Sequence, residues 1–271
     1  MKNTKMYVMT ETSLFMMSYV FITNKGNCII VDGGRPEDVP LLREKVKGHP
    51  IKAWFLTHPH FDHISAFNDL TKNQDPDFSF EKVYYNFPSL EFAKTTADDD
   101  EESLPNFYKL LPCLEEKAQK VHTGDVITVD DITIEILYNF DENDKAYDFI
   151  YKTINDTSIA FRINTPSSSV IFLGDLGPEA GEILAEQGEE KLHAEYCQMA
   201  HPGHSGVGAD VYILINPRVC MWNAPEWLWE EPGDLVDYRR YGLKRTRLWM
   251  ERIGVKEHIV TKDGTAEIDL L

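Results

Sequence analysis

The chain has no run of 18 or more apolar residues among its 271, which leaves no candidate for a membrane-crossing helix. It also lacks the apolar segment and small-residue cleavage site that would follow Met1-Lys2-Asn3-Thr4-Lys5-Met6 in a secretory leader, so export by a standard signal peptide is not expected. Cysteine is scarce. Cys28, Cys113, Cys197 and Cys220 are scattered, no Cys-x-x-Cys pair occurs, and three of the four fall in apolar strand-like runs that suit buried free thiols. A disulfide framework is thereby excluded, and a reducing cytoplasm is the expected location. Positive charge is short as well: the formal net charge is −18, which disfavours binding along extended duplex nucleic acid. One basic stretch (Arg239, Arg240, Lys244, Arg245 and Arg247) runs against that balance and reads as a solvated helix face.

What is present suits a globular fold. Hydrophobic residues make up 42% and aromatics 11%, enough for a sizeable core. The length fits two modest domains or one large layered one. Short strand-like runs alternate with helical ones throughout, without repeats. Residues 19–23 and 28–31 flank the turn Asn24-Lys25-Gly26-Asn27 as a hairpin; a helix is expected over 36–46, a strand over 51–57 and a helix over 64–70. Residues 90–119 read as mostly helical. They contain the acidic run Asp98-Asp99-Asp100-Glu101-Glu102, to which no chemistry is assigned. A second hairpin joins 126–129 to 132–137, strands are expected over 158–163 and 170–173, a helix over 178–191, and a strand over 196–200. A helix from about 236 to 253 precedes two closing strands around Lys262-Asp263-Gly264. Hairpins outnumber strand-helix-strand units, so the sheets should be mixed, packed face to face with helices outside.

Chemistry concentrates at His58-Pro59-His60-Phe61-Asp62-His63, three histidines and an aspartate in six residues directly after a hydrophobic strand. His58 and His60, being alternate residues, can turn toward one point while Asp62 and His63 enter the next helix. Imidazole nitrogen and carboxylate oxygen are the ligands zinc takes in catalytic sites.

These residues carry a resemblance. His58-x-His60-x-Asp62-His63 resembles the H-x-H-x-D-H signature of the metallo-β-lactamase superfamily. Val31-Asp32-Gly33-Gly34 resembles its early strand and turn, Phe172-Leu173-Gly174-Asp175 its later strand ending in a metal-bridging aspartate, and Met199-Ala200-His201-Pro202-Gly203 its last histidine motif. Asn155-Asp156-Thr157-Ser158 brings the wording closest to the competence-protein-like branch. The resemblance implies one domain over 1–271 with a helical insertion around 90–120, and an α+β fold: a four-layer αββα sandwich of two mixed sheets flanked by helices. It implies one or two divalent ions, zinc expected, with manganese or iron as alternatives. His58, His60 and Asp175 would hold one ion; Asp62, His63 and His201 the other, with Asp175 bridging. The chain departs from the pattern twice. Pro202 stands where the branch often has a second histidine, making His204 the nearest substitute as a catalytic group. The histidine usual between the first cluster and the Gly-Asp strand is also missing, leaving His122, Asn155, Asp156 or water to complete the first site.

The implied activity is hydrolysis by a metal-activated water, with Asp62 acting on the nucleophile. The guessed substrate is a small phosphodiester or nucleotide. Alternatives are an ester, thioester or lactone hydrolase on the same fold, and a non-catalytic metal-binding or ligand-sensing protein. Asp32 is expected to form the turn or support the ligands rather than be one. Trp222, Trp227 and Trp229 read as core and loop packing, with a wall beside the substrate as the sharper alternative.

Overall fold

The computed structural model describes residues 3–96, 100, 102–143, 153–230 and 242–270. The N-terminal half forms β1 (Thr4–Val8), β2 (Ser18–Ile22), β3 (Cys28–Asp32), α1 (Val39–Val46), β4 (Ile51–Phe55), α2 (Phe61–Lys72), β5 (Phe80–Tyr85), α3 (Leu90–Ala93), α4 (Ser103–Leu114) and β6 (Ala118–Lys120). There follow β7 (Val126–Val129), β8 (Ile132–Tyr138), β9 (Ala160–Asn164), β10 (Ser169–Phe172), α5 (Pro178–Ala185), α6 (Glu189–Leu192) and β11 (Tyr196–Gln198). The chain continues with α7 (Ala209–Ile215), β12 (Val219–Trp222), α8 (Glu226–Trp229), α9 (Leu243–Ile253), β13 (Glu257–Val260) and β14 (Ala266–Leu270).

Among these residues the strands make two seven-stranded mixed sheets, ordered β14-β1-β2-β3-β4-β5-β6 and β13-β12-β11-β10-β9-β8-β7. In the first, pairing is antiparallel from β14 to β3 and parallel from β3 to β6. In the second, β10 to β13 are parallel and β7 to β10 antiparallel. Central strands with parallel partners are covered on both faces and read as apolar runs, as in Cys28-Ile29-Ile30-Val31 and Val219-Cys220-Met221-Trp222, all buried. One core lies between the sheets, where Phe161 and Phe172 stack at 5.1 Å beside Phe55 and Tyr19. Two more lie under the helices, one on each outer face. This is the expected αββα sandwich.

Several elements differ from the sequence reading. The two closing strands part company: β13 joins the second sheet beside β12, and β14 crosses to the first beside β1. The helix expected over 178–191 is two, broken at Gly188, whose φ of +77° suits glycine. In the expected 236–253 helix, Leu243–Ile253 is helical, and 236–241 lie outside the described residues, as do Arg239 and Arg240. Asp98, Asp99 and Glu101 of the acidic run lie outside them too. No helix among the described residues is long and apolar enough to cross a membrane. Cys28, Cys197 and Cys220 are buried free thiols, and Cys113 is exposed.

The packing of α2 positions the histidine cluster at its N-terminus. Ile64, Phe67 and Leu70 face the sheet, where the buried Trp54 of β4 meets Phe67 at 5.1 Å and its indole donates to the Asp32 carbonyl. Burying each such side chain contributes about 1.5–3 kcal/mol, which fixes the helix axis against the strand that precedes it.

Candidate metal centre

The centre forms where parallel strands of both sheets end. β3 ends in Asp32, β4 leads into Thr57-His58-Pro59-His60, β10 leads into Gly174-Asp175, and β11 leads into His201. The sheets are joined at that point, since Ile159 N–H donates to the Thr57 carbonyl at 2.9 Å, and within the second sheet His201 N–H donates to the Gly174 carbonyl at 3.2 Å.

His60 is the N-cap of α2, and its carbonyl accepts from the N–H groups of His63 and Ile64. Asp62 and His63 therefore occupy the first turn, where a carboxylate is favoured by the helix dipole. The imidazoles are oriented from behind. Asp32, fully buried, accepts from Thr57 N–H and Thr57 Oγ1, each at 2.7 Å, and its carboxylate lies 2.7 Å from His63 Nδ1. Thr57 Oγ1 also lies 3.2 Å from His58 Nδ1. With both Nδ1 atoms engaged, the Nε2 atoms of His58 and His63 are left for the centre, the arrangement that fixes tautomer and ring direction in metal sites.

The far side is set by Asp175. Gly174 has a φ of +55°, and a Cβ there would stand 2.8 Å from the Ser158 side chain, so only glycine fits. Ser158 Oγ accepts from Asp175 N–H at 3.0 Å, and Asp156 Oδ1 accepts from Gly177 N–H at 3.0 Å, which braces the loop on both sides of the carboxylate. Gln198, buried in β11, accepts from Leu173 N–H and donates to the carbonyls of Gly174 and Met199.

The side chains converge. Asp175 Oδ2 lies 3.5 Å from His63 Nε2, 3.9 Å from His58 Nε2 and 4.0 Å from His201 Nε2. Asp62 Oδ2 is 3.5 Å from His63 Nε2, and His60 Nδ1 is 2.9 Å from His58 Nε2. Donor atoms of His58, His63 and Asp175 all fall within 4.8 Å of one another. Ligands held tetrahedrally at about 2.0–2.2 Å from one ion stand roughly 3.3–3.6 Å apart, so this set fits a divalent cation with nitrogen and oxygen ligands.

Burial and mutual charge shift these groups in both directions. Burial pushes the His58 imidazole well below its ordinary pKa, with His63 and His60 adding to the shift, so it is neutral and offers a lone pair. Burial opposes charge on His63, yet Asp62, Asp175 and Asp32 hold its pKa well above the ordinary value. Burial would raise Asp175, but His63, His58 and His201 keep it below the usual carboxylate range. Burial raises Asp62.

Six of the residues singled out in the sequence as ligands (His58, His60, Asp62, His63, Asp175 and His201) are thus brought together. His204 lies at the rim, its ring 5.9 Å from that of His201, in the same cleft. His122 is not brought in. Its side chain is 64% exposed in the turn before β7, where it lines a separate small cleft. Asp156 is occupied by Gly177 and Thr153. Sequence reasoning missed Gln198, whose one signal is an amide inside a buried strand, and Thr57, which reads as an ordinary strand end.

The cleft over the centre has a volume of about 1170 Å³ and runs along one face of α2, past Phe61, Ser65, Asn68 and Lys72, toward α4. The tryptophans divide. Trp222 is fully buried and Trp229 packs against it at 5.5 Å, while Trp227 is exposed at the mouth of the cleft.

A family model described as the metallo-beta-lactamase superfamily matches residues 14–211. No curated protein matches the chain by sequence. Among solved structures, the metallo-beta-lactamase fold protein YhfI from Bacillus subtilis is similar at a TM-score of 0.56 and 13% identity, covering 98% of this chain and 100% of that one. CmlA, a diiron beta-hydroxylase from Streptomyces venezuelae, is similar at 0.58 and 11%, over 99% of this chain and 54% of that one. A diphosphatase from the PhnP family is similar at 0.52 and 14%, over 98% of each chain. At these identities the likeness is one of fold.

Proposed function

Because the chain belongs to the metallo-beta-lactamase superfamily, we propose that it is a metal-dependent hydrolase acting on a small phosphodiester. The observation that carries this reading is the position of Asp175 Oδ2, within 3.5–4.0 Å of three imidazole nitrogens from both sheets at the floor of an open cleft. His58, His60, Asp62, His63, Asp175 and His201 would hold one or two divalent ions, zinc in the first place, with manganese or iron as alternatives. A bound ion supplies positive charge that polarises a substrate oxygen and acidifies water at neutral pH.

The chain's own groups do the rest. Asp62 lines the cleft at the first turn of α2 and takes the proton of the attacking water. As the phosphorus–oxygen bond to the leaving group breaks, His204 at the rim gives a proton to the departing oxygen. Asp32 and Thr57 keep the imidazoles from turning, so little reorganisation accompanies the reaction. The likeness to a diphosphatase of the PhnP family supports a phosphoryl substrate. The cleft lining supports a small one: Asp69, Asp100 and Glu102 stand among Lys72 and Lys109, which is no trench for a polyanion. The same acidic lining also favours a second reading, in which a neutral carbonyl ester, thioester or lactone is cleaved.

Turnover of bis-p-nitrophenyl phosphate by zinc-, manganese- and iron-loaded protein, beside p-nitrophenyl acetate and a lactone, tests the proposal. The phosphodiester should be preferred, chelation should abolish turnover, and His60→Ala should lose metal while keeping the fold. Turnover of the carbonyl esters alone moves the assignment to the second reading. Metal content unchanged in His60→Ala overturns the site.

A further inference from the structure

The mouth of the cleft carries three aromatic rings that the fold does not consume. Phe61, the first residue of α2, sits between the proposed ligands His60 and Asp62 and is 37% exposed; Trp227 of α8 is 56% exposed. Phe15, half-buried in the segment before β2, bridges them edge-on, at 5.8 Å to Phe61 and 6.2 Å to Trp227. The Arg35 guanidinium lies 5.6 Å from the Phe61 ring centre. Three elements distant in sequence thus present one apolar surface directly beside the metal centre, and a polar-rimmed apolar patch of this kind marks a binding surface.

A polar group lines the same cleft further along α2. Asn68, two turns along α2 and about 10 Å from Phe61, lines the same cleft and is 7% exposed. Its Nδ2 donates to the Ser103 carbonyl at 3.0 Å, while Oδ1, buried, has no partner. A buried acceptor left open is costly unless something donates to it.

We propose that Phe15, Phe61 and Trp227 form the specificity surface of the cleft and select substrates that carry a planar aromatic ring next to the scissile group. The inference rests on the hydrolase reading for where the scissile group sits. Ring against ring is the interaction that discriminates here, because edge-on and offset contacts add to area burial only when the ligand is itself flat.

The test is binding to metal-loaded protein, by calorimetry, of two matched pairs: phenylphosphonate with methylphosphonate, and phenylacetate with acetate. The ring should strengthen binding about tenfold or more within a pair. Trp227→Ala should remove most of that advantage and leave the affinity for methylphosphonate unchanged. Equal affinity within both pairs, or an advantage that survives both Trp227→Ala and Phe15→Ala, overturns the aromatic surface. If phosphonates bind and neither pair shows a ring preference, that surface fails and the phosphodiester reading stands. A ring preference seen with the carboxylates alone keeps the surface and sinks the phosphodiester. If none of the four binds, both are overturned.

Discussion

The floor and the rim of the metal centre are built in different ways. On the floor, His58 and His63 come from a strand end and a helical first turn, both fully enclosed, and each has its second ring nitrogen engaged by Thr57 or Asp32. On the rim, His201 and His204 come from a short turn in which His201 has a φ of +49°, and the His201 side chain is 34% exposed. The floor is held by buried hydrogen bonds and core packing. The rim is held by its backbone: the Gly203 carbonyl accepts from Thr246 Oγ1 of α9, and Ala200 N–H donates to Tyr212 of α7. The lesson is that the closed side of the candidate centre is fixed where solvent cannot reach, while its open side leaves the side chains more freedom.

Four substitutions would break or sharpen this contrast. Asp32→Ala removes the group that three floor donors share, and breaking such a buried pair costs about 3–5 kcal/mol. Metal affinity should fall about 10- to 100-fold with it. Denaturant midpoints and metal titration measure both, and a variant as stable as the parent would dissolve the distinction.

Asp156 comes next, because burial raises its carboxyl to about 6. The folded state holds that proton more tightly than the unfolded chain, so the stability linked to it is present below the unfolded value of 3.8 and is lost as pH rises through 6. The loss should be on the order of 3 kcal/mol. Asp156→Asn keeps an acceptor for Gly177 and should flatten the pH dependence between 4 and 7. Parallel profiles for the two proteins would refute the shift.

Gly174→Ala forces a side chain into left-handed backbone against Ser158 and should cost at least about 1–3 kcal/mol. Asp175 should move with it, so metal content falls alongside the melting temperature. Smallest of all should be the stability change in His201→Ala, within roughly 0.5 kcal/mol, as for exposed positions generally, although metal affinity drops. A His201→Ala protein destabilised as much as Asp32→Ala would show that the rim is no less structural than the floor.

Much of the floor is legible in the sequence because it is local. His58 to His63 is one loop entering one helix, and the ligand spacing follows from strand alternation and the first helical turn. Asp175 and His201 are distant in sequence and become readable only through resemblance, since nothing in Gly174-Asp175 alone distinguishes a ligand from a turn. The brace around Asp175 is hidden for another reason: Gln198 and Ser158 act through backbone amides, and a backbone partner leaves no mark in composition. The aromatic surface is half visible. Three tryptophans cluster in the sequence after the His201 motif, but which one stays exposed depends on α8 turning Trp227 outward while Trp222 lies in β12. The closing strands are legible as strands, but nothing in their sequence tells that each finds the edge of a different sheet.

The junction of the two sheets at Thr57 and Ile159 has a consequence for how the chain matures. If the proposed ligands hold an ion, four of them come from the first leaf and two from the second, so the full set would exist only after both leaves have met. Loading would then come late in biogenesis, after the leaves have docked, and a half-assembled chain would have an incomplete hold on free cations. Once seated, the ion would act as a rivet, slowing the leaves' separation and lengthening the lifetime of the folded molecule.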